Sequence, residues 1–260
     1  MPNEFSHKAR IFLHRGDLVG ARACYEAAVA EDRTSGAQHD LIESLGNLGN
    51  VHAMQNDPTT ATACYREVLA LQKTAGSLHA VGHTLVNLGN LHRDTGELDH
   101  ALPYYLEALD LLTSLQDQRA LGVLYSNLAL LDLEGGRVNE AIAQFTRALD
   151  FHRIVGDEDG LAVTYGQLGQ AFLKAERVSQ AEKCFNNASE HFIKLGNEPG
   201  EAATLRVLAS LYERSENRTH ALRCLERVVQ IDERYRLPHL EDDRAARDRL
   251  HQSSLGSSDS

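Results

Sequence analysis

A repeat of forty residues runs through this chain and constrains its fold more than any other feature. Six copies cover residues 2–241 without an insertion or a deletion. One column of the repeat is alanine in every copy: Ala21, Ala61, Ala101, Ala141, Ala181 and Ala221. Four residues later the column reads Tyr25, Tyr65, Tyr105, Phe145, Phe185 and Leu225. A period of this size is typical of stacked supersecondary units. We therefore predict six repeats, at 2–41, 42–81, 82–121, 122–161, 162–201 and 202–241.

Each copy predicts two helices. In the second copy Leu45, Leu48, Gly49 and His52 follow the spacing of one helix face, and residues 56–58 interrupt it. A column of capping side chains then predicts the start of the second helix: Thr59, Asp99, Asn139, Ser179 and Thr219. Glycines predict its end in a left-handed cap: Gly36, Gly76, Gly156 and Gly196.

Small residues recur in the first helix, beside a large leucine column. They are Gly49, Gly89, Ala129, Gly169 and Ala209. Together with the alanine column of the second helix they let the two helices approach closely, with Tyr or Phe filling the space beside them. A single helix pair cannot bury its apolar face, so the copies must stack. We expect an all-α protein of thirteen helices.

The third copy carries a family resemblance. Its sequence reads Leu85, Leu88-Gly89, His92, Gly96, Ala101, Tyr105 and Ala108. This pattern resembles the tetratricopeptide repeat, in the forty-residue variant found in Leu-Gly-Asn-repeat adaptors and kinesin light chains. The resemblance implies a right-handed superhelical solenoid whose first helices line a concave groove. It also implies a protein-interaction adaptor or scaffold.

The ends of the chain differ from the repeats. Residues 239–251 predict a polar capping helix, and the Ser/Gly-rich residues 252–260 predict a disordered tail. We find no run of about 18 apolar residues that would predict a membrane span. Residues 1–4 lack the character of a signal peptide. The sequence as it stands is typical of a cytoplasmic protein that does not bind membranes.

Charge and side-chain chemistry argue against several functions. A formal net charge of −11 leaves no basic footprint for nucleic acid. No nucleophile, acid and base set predicts an enzyme, and no motif predicts a cofactor. His79 and His83 are four residues apart without a supporting ligand, and His52 and His92 belong to a core-facing column. We therefore expect no metal site.

All four cysteines share one repeat column: Cys24, Cys64, Cys184 and Cys224. Equivalent positions on neighbouring packed helices lie about 8–10 Å apart. A disulfide needs Cα atoms within about 7 Å. We expect four free thiols.

Amide side chains mark the candidate binding site. Asn47, Asn87, Asn127 and Gln167 recur at one position of the first helix. Asn50, Asn90 and Gln170 recur three residues later, on the same helix face. Asn is a poor helix former, so its repetition invites a functional reason, and an amide can bind the backbone of a peptide. With the neighbouring basic residues Arg93, Lys174 and Arg206, these amides form the predicted peptide-binding set. The basic residues favour a ligand with acidic side chains or a free carboxylate.

Other interpretations of the amides remain open. They could bond to each other between adjacent repeats as a ladder that fixes stacking, or reflect drift after duplication. For the whole chain, the main hypothesis is an adaptor, monomeric or weakly homo-oligomeric, that binds a peptide segment of a protein partner. The alternatives are a self-assembling structural scaffold and a regulatory protein of a signalling pathway.

Overall fold

The computed structural model describes residues 4–255, and every regular element in that range is an α-helix. The thirteen helices confirm the all-α prediction. They are α1 (Glu4–His14), α2 (Leu18–Ser35), α3 (Gln38–Met54), α4 (Pro58–Thr74), α5 (Leu78–Asp94), α6 (Leu98–Ser114), α7 (Gln118–Glu134), α8 (Val138–Val155), α9 (Glu158–Lys174), α10 (Val178–Leu195), α11 (Glu198–Arg214), α12 (Arg218–Tyr235) and α13 (Leu240–Leu255). Odd-numbered helices up to α11 are the first helices of the six repeats. Among these described residues no helix combines the length and apolar character that a membrane crossing needs.

The chain divides into two compact units, and the boundary along the sequence falls between Asn127 and Leu128. In the first unit consecutive helices pack against each other from α1 through α6. In the second unit the same holds from α8 to α13. Consecutive packing of this kind is what a repeat requires, because each copy buries its apolar face against its neighbours.

Every turn between helices contains one residue in the left-handed backbone region, at intervals of twenty residues from position 16 to position 236. The predicted glycine caps are confirmed: Gly36, Gly76, Gly156 and Gly196 have φ between 64° and 71°. Five turns place a side chain there instead, with φ between 54° and 60°: Asn56, Gln116, Glu176, Glu216 and Arg236. The repeat therefore fixes where the chain turns even where glycine is absent.

The predicted capping column of the second helices is wrong by two residues. The helix begins at Pro58, and Asp57 caps it by accepting a hydrogen bond from the Thr60 backbone N–H at 3.1 Å. Asn217 occupies the equivalent position before α12. The left-handed residue reverses the chain within three residues, so Thr59 and its equivalents already lie in the first turn of the helix.

The small-residue columns form the contact between the two helices of a repeat, as predicted. A methyl group built on Gly89 would lie 2.4 Å from the Tyr105 ring, and one on Gly169 would lie 2.8 Å from the Phe185 ring. Tyr105 and Phe185 are buried. At these two positions glycine lets an aromatic ring of the second helix pack directly on the backbone of the first, and the fourth copy has Ala129 in the same column.

Two buried polar contacts join successive repeats of the first unit. Ser44 donates a hydrogen bond to Asp32 at 2.7 Å, and Thr84 donates one to Gln72 at 2.8 Å. In both cases a second helix contacts the first helix of the next copy, twelve residues further on. A buried polar group without its partner is costly, so these pairs favour one packing register.

The C-terminal helix is longer than predicted. It extends to Leu255, whereas the sequence placed its end at residue 251 and a disordered tail from residue 252. The rest of that predicted tail, residues 256–260, lies outside the described residues. All four cysteines are free thiols, with Cys64 and Cys184 buried.

Candidate peptide-binding face

The predicted amides of the first unit lie on α3, α5 and α7, and the four on α3 and α5 fall into two groups. Asn87 is exposed and Asn47 is half-buried, and no intrachain hydrogen bond to either is seen in the described part of the chain. Asn50 and Asn90 instead accept hydrogen bonds from tyrosine hydroxyls of the same repeat, Tyr65 at 2.5 Å and Tyr105 at 2.7 Å. Only the first group has both donor and acceptor available for a ligand.

The Asn–Tyr contact explains part of the amide column. Tyr65 is buried, and burial raises the pKa of its hydroxyl to about 12. A buried hydroxyl needs a hydrogen-bond partner, and the side-chain oxygen of Asn50 in the first helix of the repeat provides it. In the fourth copy the aromatic residue is Phe145, which has no hydroxyl, and the amide is replaced by Leu130. Neither the ladder between repeats nor the groove alone accounts for Asn50 and Asn90.

Arg93 also has a role within the protein. Its guanidinium donates to Asn127 at 3.3 Å, from α5 to α7, and to Asp94 at 2.8 Å. Its side chain is only 12% exposed. The predicted residues Arg93 and Asn127 therefore contact each other across neighbouring first helices of the first unit.

In the second unit, Gln167, Gln170 and Lys174 lie along α9. Gln170 and Lys174 are exposed. Gln167 is half-buried, and its side-chain oxygen is buried without a hydrogen-bond partner among the described residues. This helix presents two amides and one cation on a single face. We refer to Asn47 and Asn87 in the first unit, and to Gln167, Gln170 and Lys174 in the second, as the amide face of each unit.

Arg206 does not belong to the amide face. It donates to Asp232 at 2.5 Å and to Asp243 at 2.7 Å, so it joins α11, α12 and α13. Burial opposes the charge of Arg206, but the two carboxylates raise its pKa above the ordinary value. Burial also raises the pKa of Asp243, against the lowering effect of Arg206. The role of Arg206 is to hold the C-terminal helix on the sixth repeat.

A histidine and carboxylate cluster lies at the turn between α5 and α6. His92, Glu97 and His100 place one nitrogen or oxygen atom each within 4.8 Å of the others. His92 was expected from the sequence to be a packing residue, unconnected with the other two. The signal was the spacing itself, since a helix, a short turn and the first turn of the next helix bring positions 92, 97 and 100 together.

Family models match most of the chain. A model of the MalT-like tetratricopeptide repeat region matches residues 6–154, and a tetratricopeptide repeat model matches residues 160–234. The first match alone covers more than half of the chain. This chain belongs to the tetratricopeptide repeat family. Repeats of this family commonly serve as protein-interaction scaffolds. No curated protein sequence matches the chain.

Solved structures of other tetratricopeptide repeat proteins resemble this one. BtubC from P. vanneervenii superposes with a TM-score of 0.75 at 20% identity, covering 84% of this chain and 92% of that one. Kinesin light chain repeats from Podosopora anserina give 0.60 at 19% identity, covering 75% and 96%. A Rap protein complexed with competence and sporulation factor gives 0.69 at 12% identity, covering 96% and 74%. At these identities the likeness shows the shared fold.

Proposed function

We propose that this protein is an interaction module that binds an extended peptide segment of a protein partner on its amide face. The observation that carries the proposal is Asn87, an exposed amide in the middle of α5 whose donor and acceptor make no hydrogen bond in the described chain. Asn costs helix stability relative to Ala at such a position. Its amide offers both a donor and an acceptor, which is what a peptide backbone needs.

The second unit supports the proposal independently. The side-chain oxygen of Gln167 lacks a hydrogen-bond partner among the described residues, which is costly. This oxygen is buried, so the half-buried side chain must rotate before it can accept a hydrogen bond from a ligand. Gln170 and Lys174 extend the same face toward solvent. The Rap protein similar in fold is complexed with a factor, which is consistent with ligand binding by such repeats.

The charge preference deduced from the sequence is not part of the proposal. Arg93 and Arg206 are both engaged with carboxylates of this chain, so they leave Lys174 as the available cation of the predicted set. Hydrogen bonds to the peptide backbone therefore supply most of the proposed affinity in each unit. In the second unit Lys174 also favours an acidic side chain.

The test uses peptides selected from a random display library against the full chain. We expect the double change Asn47→Ala with Asn87→Ala to remove two hydrogen bonds, each worth about 0.5–1.5 kcal/mol. Affinity measured by fluorescence polarisation should then fall by about tenfold or more. Stability should hold, because neither amide bonds within the described protein and Ala is the better helix former.

The matched control is Gln230→Ala, an exposed amide on the second helix of the sixth repeat. It should leave affinity unchanged. Selected peptides that bind the Asn47 and Asn87 variant as tightly as the parent protein would contradict the proposal for the first unit. The pair Gln167→Ala with Gln170→Ala tests the second unit in the same way.

A further inference from the structure

The cluster at the turn between α5 and α6 has the composition and arrangement of a metal site. His92 lies in the last turn of α5, Glu97 immediately precedes α6, and His100 lies in its first turn. His92 Nδ1 lies 2.6 Å from Glu97 Oε2, and His100 Nδ1 lies 3.6 Å from the same oxygen. One carboxylate oxygen is thus flanked by two imidazole nitrogens.

Comparison with the other copies separates this cluster from an ordinary turn contact. His52 and Asp57 form the same contact in the second copy, at 3.2 Å. In the fourth copy Asp132 and Arg137 form an ion pair at the equivalent positions. A side chain at the end of the first helix therefore commonly pairs across the turn. The third copy adds His100 as a further ligand, where the second copy has Thr60. Within residues 4–255, this is the one group of three potential ligands.

We propose that His92, Glu97 and His100 bind a divalent transition-metal ion, which we assign as Zn²⁺. Two imidazoles and one carboxylate are a known ligand set for zinc with a fourth position open. Metal–ligand bonds of about 2.0–2.2 Å in tetrahedral geometry place the ligand atoms about 3.4 Å apart. The present separations of 2.6 and 3.6 Å bracket that value.

Two of the three side chains are exposed enough to adjust to the ion. His92 is held in place, since its ring stacks on Tyr104 at 5.4 Å and its side chain is 14% exposed. Glu97 and His100 are 50% and 73% exposed, so both can rotate toward the ion. The site has one fixed ligand and two adjustable ones, all on a single helix–turn–helix.

The fourth coordination position faces solvent. His92, Glu97 and His100 line a cleft of about 410 Å³ together with Arg66 and Tyr104. The cleft has room for a water molecule or a carboxylate as the fourth ligand. Arg66 carries a positive charge at the same cleft, which favours an anion there.

An unpaired nitrogen of His92 limits the expected affinity for zinc. His92 Nε2 is buried without a hydrogen-bond partner among the described residues. When Nδ1 binds the metal, Nε2 carries the proton, and no acceptor orients it. Loss of such an outer partner weakens metal binding by about 10–100-fold. We therefore expect micromolar rather than nanomolar affinity.

The experiment is zinc binding by the full chain, without an affinity tag and after treatment with a chelator, by calorimetry and by equilibrium dialysis. We expect a micromolar site that binds one ion per chain and raises the melting temperature. His100→Ala removes an exposed ligand and should weaken this site at least tenfold while leaving the fold intact. Glu97→Gln should weaken it as well, since the amide still accepts a hydrogen bond from His92 but is a poorer ligand.

The matched control is His79→Ala, an exposed histidine that also pairs with a carboxylate, Asp117 at 3.1 Å. It should bind zinc as the parent protein does. Equal zinc affinity and stoichiometry in the parent and in His100→Ala would overturn the assignment, because binding would then come from other histidines or from cysteines. Absence of micromolar binding in the parent protein would overturn it too. The outcome is independent of peptide binding by the amide face.

Discussion

At the scale of single residues, the two amide columns of the first helices serve different purposes. Asn50 bonds to a buried tyrosine hydroxyl, whereas Asn47, one turn earlier on the same helix, makes no hydrogen bond in the described chain. The copies of the repeat act as natural variants of each other. Tyr65 occurs with Asn50, and Phe145 occurs with Leu130. In these two copies the amide occurs where the facing ring carries a hydroxyl that needs a hydrogen-bond partner.

Asn50→Ala should destabilise the protein by about 1 kcal/mol. The Tyr65 hydroxyl loses a hydrogen bond worth about 0.5–1.5 kcal/mol, and more if it stays buried, which outweighs the better helix propensity of Ala. In a Tyr65→Phe background the same change should be neutral or stabilising, as the pairing of Phe145 with Leu130 suggests. Urea unfolding of the four proteins gives the coupling energy of the pair. Equal losses in the two backgrounds would show that the hydrogen bond does not explain Asn50.

At the scale of helices, α9 contains two glycines three residues apart with different surroundings. A methyl group on Gly166 would meet no atom within 4 Å, whereas one on Gly169 would lie 2.8 Å from the Phe185 ring. Both positions have ordinary helical backbone, so backbone conformation does not distinguish them. The two positions differ because α10 packs against α9 at Gly169 and not at Gly166.

Gly169→Ala should therefore lower stability by about 1–3 kcal/mol, since the methyl group overpacks the contact between the two helices. Gly166→Ala should raise stability by about 0.5–1 kcal/mol, because Ala loses less backbone entropy than Gly in a helix. The midpoints of urea unfolding measure both effects. A stabilised Gly169→Ala protein would contradict the close packing of α9 against α10.

At the scale of the whole molecule, a C-terminal helix closes the array of repeats. In the second unit, α13 packs on α12, and Arg206 holds it through Asp243 while also pairing with Asp232, which is completely buried. The side chain of Arg206 is 22% exposed, so its charge is largely shielded from water. A single cation thereby compensates two carboxylates at the C-terminal end.

Arg206→Ala should cost about 3–5 kcal/mol, since it leaves buried carboxylates without their counter-ion. It should also loosen α13, which would appear as faster hydrogen exchange of its amides. Arg214→Ala is the control, because Arg214 is exposed at the end of the same helix and should change stability by no more than about 0.5 kcal/mol. Similar losses in both variants would contradict a special role for the ion pair.

The sequence alone determined the helical repeats of this protein. Positions such as Gly36 and Gly156 must turn because of local backbone sterics, and columns such as Gly169 and Phe185 must pack because their sizes are complementary. These constraints act within one copy and recur at a fixed period. They are therefore visible as columns in a single sequence. The same columns carry the resemblance to the tetratricopeptide repeat family. Cap positions such as Asp57 were not predicted, because a one- or two-residue shift of a helix start leaves the period of the repeat unchanged.

Only the tertiary structure decided which polar side chains the protein uses internally. Arg206 and Asn50 looked like parts of a binding groove, but each is engaged with a partner on another helix. His92 looked like a packing residue, but it faces Glu97 across a turn. The physical reason is that periodicity specifies which face of a helix a residue occupies, whereas a hydrogen bond or a metal site depends on distances of 2.5–3.5 Å between side chains of different helices. Those distances follow from the packing of whole helices.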